Sequence, residues 1–376
     1  MQIELKALKG LVKKLSAVVG IDSNASYVHI IGKPENNILL FELTNNVFTT
    51  IFKFESDTVE SFETSVDSKS FIDIINGLAG EFVDLDTTSG VLNIISAKSK
   101  YKLALIYEGD HLRYPAPFNF NSTPTHANIS AEILQSIDDV NTKEILRVGE
   151  SKIKSEAGSL YHLTNNGCFT SANTFGACLN SFTLDSNVDL LINRQIVKLF
   201  KLFTSDVDLY YSLEMVNSVY QSKICLKSDD LIVNSYLPAA EKVRAAIMRM
   251  TVTLRTFLSA NYQCDFNVKA EDLIGAVTRL TTAIKHTSKY DFDSAPLYFT
   301  FYGKILAISD ENDNTEQVDI ENNGIEIDGT KISLSVQALK LFLDSCNTET
   351  IRIKSDLNKM IILNFDNVSY FLSLLD

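Results

Sequence analysis

The 376-residue chain carries 34 Lys and Arg against 47 Asp and Glu, a formal net charge of -13, with 45% hydrophobic and 22% charged residues. These proportions exclude wholesale disorder and fibrous architecture, and the length predicts two or three domains at roughly 150 residues each. The acidic total discourages a purely electrostatic hold on nucleic acid, yet screening over ~8 Å lets a basic face coexist with an acidic exterior.

The first predicted element is an amphipathic helix over residues 5–19. Leu8, Leu11, Leu15 and Val18 fall on one face, with Lys6, Lys9 and Lys13 at helical spacing on another. No apolar run nears the ~18 residues of a membrane span, so a cytoplasmic protein without a membrane partner is expected. A second helix, 68–78 (SKSFIDIINGL), carries Lys69 and leads into strand-like sequence over 81–106. Pro115, Pro117 and Pro124, with Asn119, Asn121 and Ser122, then mark a junction.

Beyond it the same order returns. A helix is predicted over 130–140, acidic through Glu132, Asp138 and Asp139, and another over 193–203 (NRQIVKLFKLF), where Arg194, Lys198 and Lys201 oppose Ile196, Leu199, Phe200 and Phe203. Strands follow over 207–237, and Pro238-Ala239-Ala240 marks the next junction. The stretch 241–260, with Lys242, Arg244, Arg249 and Arg255, is helix-compatible and reads as a basic insert between domains. Helices over 270–284, with Arg279 and Lys285 beside it, and 335–345 (SVQALKLFLDS), with Lys340, precede strands over 350–375.

The chain therefore contains three copies of one α+β unit, in which two amphipathic helices pack on antiparallel sheets. First and second helix starts lie about 63 to 65 residues apart in all three copies, and about 17 extra residues precede the last. The second helices open at Ser68, Asn193 and Ser335, all residues suited to capping a helix N-terminus. The repeat predicts domains at 1–122, 123–245 and 246–376, the last with the basic segment 241–260 at its start. Each is large enough to hold its own core.

This layout, with the stretches 62–78 (FETSVDSKSFIDIINGL), 90–105 (GVLNIISAKSKYKLAL) and 370–376 (YFLSLLD), resembles the bacterial DNA sliding clamp, the β subunit of DNA polymerase III. The resemblance spans nearly the whole chain at the level of pattern. It implies a non-catalytic processivity factor without cofactors: a head-to-tail homodimer of six domains, opened by a clamp loader, encircling double-stranded DNA and tethering a DNA polymerase. Lys6, Lys9, Lys13, Lys69, Arg194, Lys198, Lys201, Arg279, Lys285 and Lys340 would line the hole. The acidic helix over 130–140 does not fit that lining. Tyr101 and Leu103 would meet the helix end around Ile284 across the dimer contact. In typical members a partner peptide docks against a Thr-Asp-Gly-x-Arg-Leu loop, an interdomain proline and the C-terminal tail. Here the loop reads Ser171-Ala172-Asn173-Thr174-Phe175-Gly176, the proline is Pro238, and the tail is Phe371-Leu372-Ser373-Leu374-Leu375-Asp376. A shallow groove of altered specificity, using Phe371, Ser373, Leu374 and Leu375, is expected.

A search for chemistry returns little. There is no phosphate-binding G-x-x-x-x-G-K-[ST] loop, no G-x-G-x-x-G, no H-E-x-x-H and no G-x-S-x-G. Five cysteines without C-x-x-C spacing argue against a disulfide framework or zinc. His162 with Cys168 reads either as a nucleophile pair or as a buried thiol near a strand histidine, the latter favoured. Asp310, Glu311 and Asp313 read as a cation site or, with Asn312 and Asn314, as a turn. An enzyme with carboxylates assembled only in three dimensions and a purely structural adaptor stand as alternatives.

Overall fold

The computed structural model describes residues 1–22, 24–88, 90–97, 99–141, 160–172, 176–216, 219–262, 264–287, 295–322, 329–344 and 346–375. The first repeat comprises β1 (Gln2–Glu4), α1 (Leu5–Ile21), β2 (Tyr27–Lys33), β3 (Ile38–Thr44), β4 (Phe48–Glu55), β5 (Phe62–Asp67), α2 (Ser68–Gly77), β6 (Phe82–Thr88), β7 (Val91–Ser96) and β8 (Ser99–Ala104). A connector with β9 (Tyr107–Glu108) and β10 (His111–Leu112) leads to the second: β11 (Thr125–Ile129), α3 (Ala131–Asn141), β12 (Leu160–Thr164), β13 (Gly167–Ala172), β14 (Gly176–Asn180), β15 (Asp189–Asn193), α4 (Arg194–Leu199), β16 (Val207–Val216), β17 (Val219–Lys227) and β18 (Leu231–Ala240). A helix, α5 (Glu241–Ser259), precedes the third: β19 (Cys264–Lys269), α6 (Ala270–Thr287), β20 (Pro296–Tyr302), β21 (Ile305–Ser309), β22 (Thr315–Asn322), β23 (Lys331–Ser335), α7 (Val336–Asp344), β24 (Thr350–Ser355), β25 (Met360–Phe365) and β26 (Val368–Ser373). All three follow one order of strand, helix, four strands, helix, three strands.

Contacts gather the chain into two compact units, residues 1–135, 184–187 and 193–241, and residues 136–183, 188–192 and 242–376. The first holds a four-stranded sheet ordered β1-β6-β7-β8 and an eight-stranded sheet ordered β11-β16-β17-β18-β4-β3-β2-β5. The second holds one of twelve strands, β15-β12-β13-β14-β26-β25-β24-β19-β22-β21-β20-β23. Two ladders make these sheets longer than a repeat. In the first unit β4 pairs antiparallel with β18, Thr50 opposite Val233. In the second, β14 pairs with β26, Cys178 opposite Tyr370. In both, the penultimate strand before the second helix of one repeat joins the last strand of the next. Each ladder satisfies the backbone groups of two strands that would otherwise be sheet edges.

Local sequence explains the elements. α1 buries Leu5, Leu8, Leu11, Val12, Leu15 and Val18, an i, i+3, i+4 stripe, and leaves Lys6 and Lys13 exposed. The second helices are capped as their sequences predict in two repeats, with Asn193 accepting from the Ile196 amide and the Ser335 hydroxyl from that of Ala338. In the first repeat the cap lies one residue earlier than expected. Asp67 accepts from the Ser70 amide, while buried Ser68 donates its hydroxyl to the Ala25 carbonyl. A side chain committed to a tertiary bond cannot also cap its helix. The leading strands β1, β11 and β19 were not legible in the sequence, because three to six residues against a helix start are too short for a period-2 signal.

Candidate functional site

In the first unit α1 packs against both α2 and α4. On these helices and the 3-10 turn that follows α4, Lys6, Lys13, Lys69 and Lys201 are exposed, and Arg194 and Lys198 are half-buried. The Lys9 ammonium donates to the carbonyl of Leu78 at 2.7 Å, placing a cation at the C-terminus of α2 where orphan carbonyls and the helix dipole favour one. Lys14, outside the expected set, pairs with Asp230 in the turn before β18. Its hydrogen bond holds the Asp230 carboxyl below the usual range against the opposing effect of burial. This layer carries ammonium and guanidinium groups on stems that pack along its helices.

In the second unit α6 packs against α7. Lys285 is exposed and Lys340 half-buried. Arg279 is engaged by both carboxylate oxygens of Glu316 at 2.8 Å, which offsets its charge locally. Ile284, expected near the dimer contact, is 2% exposed in the core of its own unit, so it presents almost no surface to another molecule.

Two sheet edges differ from their counterparts. β8 is the last strand of its repeat and ends the four-stranded sheet. It reads SKYKLA, with Tyr101 43% exposed between Lys100 and Lys102. β22 is the penultimate strand before α7 and reads TEQVDIEN. Its Ile320 to Asn322 end is taken by β19, whereas among the described residues Thr315 to Asp319 pair only with β21. A cavity of about 420 Å³ lies there, lined in part by Gly275, Arg279, Val318 and Asp319.

The partner-peptide residues expected on β14 and β26 share one ladder. Gly176 lies opposite Leu372, and Ala177 opposite Phe371. Phe371 is 3% exposed, Ser373 is exposed, and Leu374 and Leu375 are half-buried. The tail is held by two backbone bonds, from the Leu374 amide to the Lys359 carbonyl and from that of Leu375 to Ser333. Pro238, exposed in β18, belongs to the first unit and is opposite Gln221. Asn173, Thr174 and Phe175 lie outside the described residues, and of Ser171 only the backbone is described, opposite Ala177.

The basic insert is the helix α5. Its inward stripe is Ile247, Thr251 and Leu254. Thr251 meets His162 Nδ1 at 2.9 Å, His162 Nε2 meets Asp189 at 2.8 Å, Arg244 pairs with Asp189 at 3.1 Å, and Arg255 donates to the Thr164 hydroxyl at 2.7 Å. The hydrogen bond from His162, with the nearby Arg244, holds the Asp189 carboxyl below its usual range. His162 is thus used in fastening α5. Cys168 stands opposite Leu163 on the other face of the sheet, and burial pushes its thiol well up, out of nucleophilic range. The cluster at Asp310 is a turn: its carboxylate accepts from the amides of Asn312 and Asn314 and from the Asn314 side chain. Among the described residues no three His, Cys, Asp or Glu are placed to hold a metal ion, and no helix is long and apolar enough to cross a membrane.

No protein-family model matches the chain, and neither does any curated protein sequence. Solved structures do match along its full length. The DNA polymerase III subunit β of Pseudomonas aeruginosa superposes with a TM-score of 0.76 at 16% identity, covering 100% of this chain and 99% of that one. The polymerase III β of Caulobacter crescentus gives 0.74 at 14%, covering 100% and 99%. The polymerase III β subunit of Thermotoga maritima gives 0.73 at 11%, covering 100% and 98%. The fold is that of these subunits, and the expected architecture of three repeated units with two helices on antiparallel sheets is present.

Proposed function

We propose that the chain is a DNA sliding clamp, a non-catalytic processivity factor that closes as a head-to-tail homodimer around duplex DNA and tethers a replicative polymerase, with repeats at 1–122, 123–245 and 246–376. One observation carries this reading. The rule that joins repeat one to two and two to three, β4 with β18 and β14 with β26, leaves β22 and β8 as the pair that would complete the cycle. A heterologous contact repeated about a two-fold axis closes, and closure removes both sheet edges.

Carrying the same inward-facing parity across the contact sets Tyr101 opposite Val318 of the partner subunit, with Leu103 opposite Glu316 and Lys100 opposite Asp319. Lys100 of β8 then meets Asp319 of β22 while Lys102 stands opposite Gln317, and the Tyr101 ring lies against the cavity beside Gly275.

An acidic ring gains little from a phosphate footprint, so attachment is topological, with Lys6, Lys13, Lys69 and Lys201 easing passage of the duplex. Arg194 and Lys198 in the first unit, and Lys285 and Lys340 in the second, would add to them. Partner peptides of the polymerase and loader would use the surface at Gly176, Ser373, Leu374 and Leu375.

Protein loaded on nicked circular DNA should remain bound through gel filtration and be lost once the circle is linearised. Equal retention on both forms would falsify the clamp reading. An adaptor without a DNA role predicts no association with either.

A further inference from the structure

Superposing the repeats on their strand order brings three residue pairs into correspondence on the sheet face opposite the helices. His29 of β2 faces Glu63 of β5 at 3.6 Å. His162 of β12 faces Asp189 of β15 at 2.8 Å. In the third repeat Tyr298 of β20 takes the histidine position and Lys331 of β23 the carboxylate position, with the ammonium 3.8 Å from the ring centroid.

The first two pairs are covered by the segment that leads to the next repeat. Over β2 the connector places Arg113 against the Tyr27 ring at 4.7 Å and Tyr114 beside His29 at 6.5 Å, and it is tied down by the Ile106 amide to the Ser65 carbonyl. Over β12 lies α5, with Arg244 on Asp189 and Thr251 on His162. Burial follows the cover. β2 is buried at Tyr27 and His29 as well as at its core positions, and β12 is buried at all five residues. In the third repeat the equivalent bond runs from the Leu375 amide to the Ser333 carbonyl, and β20 keeps the alternation of a half-solvated strand, with Tyr298 and Thr300 half-buried and Tyr302 51% exposed.

We infer that the outer face of β20 and β23 is a docking surface for an acidic amphipathic segment of a partner protein. Both covers present a cation and an apolar or aromatic group to a face that carries a carboxylate. In the third repeat the sign is inverted, because Lys331 stands where Glu63 and Asp189 do, with Lys304 exposed in the turn after Tyr302. The complementary cover therefore carries a carboxylate over Lys331 and apolar side chains over Thr300 and Tyr302. Asp319 in β22, opposite Ile305, is the carboxylate at the far margin and confines the acidic end of the segment to the β23 side. The inference does not depend on ring closure.

The test uses the full chain and a synthetic 241–259 peptide carrying Arg244→Glu, Arg249→Glu and Arg255→Glu, an α5 analogue whose net charge is inverted. Saturable binding by fluorescence anisotropy, with slowed amide exchange in β20 and β23, is expected, together with an affinity loss of at least tenfold in Lys331→Glu and in Tyr302→Ser at unchanged melting temperature. The unmodified peptide should gain affinity for Lys331→Glu. Absence of saturable binding, binding indifferent to both substitutions, or protection confined to β12 and β15 would overturn the inference. A change in sedimentation of Lys331→Glu without peptide would also overturn it, by showing that a second molecule of the same chain occupies the face.

Discussion

Gly176 approaches the backbone at Phe371 so closely that a Cβ built on it would lie 3.0 Å from the Phe371 carbonyl oxygen and 3.3 Å from a Leu372 methyl. The β14 to β26 ladder is set at this distance, and the expected peptide surface starts from it. Gly176→Val should cost about 1–3 kcal/mol through overpacking and lower the melting temperature. Unchanged stability in urea titration would show that the ladder has room to give.

The proposed closure makes a geometric claim that chemistry can check. A Tyr101→Cys, Val318→Cys double variant should form an intersubunit disulfide under mild oxidation, since directly opposed residues in an antiparallel pair bring Cβ atoms to ~4.5–5.5 Å. Tyr101→Cys with Gln317→Cys should link poorly, because those side chains leave opposite faces. Equal yields from both pairs would rule out the assigned register.

Lys9 and Lys13 carry the same charge one turn apart on α1, yet only Lys9 is bonded to the end of α2. Lys9→Met should destabilise by about 1 kcal/mol through the lost carbonyl partner. Lys13→Met should stay within about 0.5 kcal/mol. Equal unfolding midpoints would mean that the Leu78 carbonyl is served as well by water.

His29 links pH to the first unit. Burial holds its imidazole below the ordinary value, outweighing the opposite pull of Glu63. As pH falls through about 6.5 the unfolded chain takes up this proton before the folded one does, so stability is full above that pH and declines below it. Chemical unfolding measured from pH 7.5 to 5.5 should show the decline, and His29→Gln should flatten it. A parallel slope in the variant would assign the proton elsewhere.

Removing residues 374–376 deletes two backbone hydrogen bonds, to Lys359 and Ser333. Each contributes about 0.5–1.5 kcal/mol. The truncated chain should remain folded and dimeric by light scattering while losing stimulation of a cognate polymerase in primer extension. Full stimulation would place the peptide surface elsewhere.

Much of this was readable from residues alone. The helices declared themselves through spaced leucines, and the near-constant helix spacing exposed the repeat. Other features depend on partners far away in sequence. Ser68 looks like a cap until Ala25 claims its hydroxyl. Lys9 looks like a solvated cation until Leu78 folds beneath it. Ile284 looks available at a helix end but is enclosed by its own core. The insert at 241–260 was visible as basic and helical, whereas its fastening through Thr251, His162 and Asp189 needs a strand pair that local pattern does not specify. The one sequence signal was the histidine recurring at equivalent places in β2 and β12.

The ladder between β4 and β18 has a consequence for synthesis on the ribosome. β4 emerges early, but the strand that pairs with it follows about 180 residues later. At 5–20 residues per second that is a wait of roughly 10 to 40 s. Throughout it the nascent first repeat carries an open apolar strand, with Phe48 and Phe52 unsheltered, so slow translation up to Ala240 prolongs exposure to misassembly between neighbouring nascent chains.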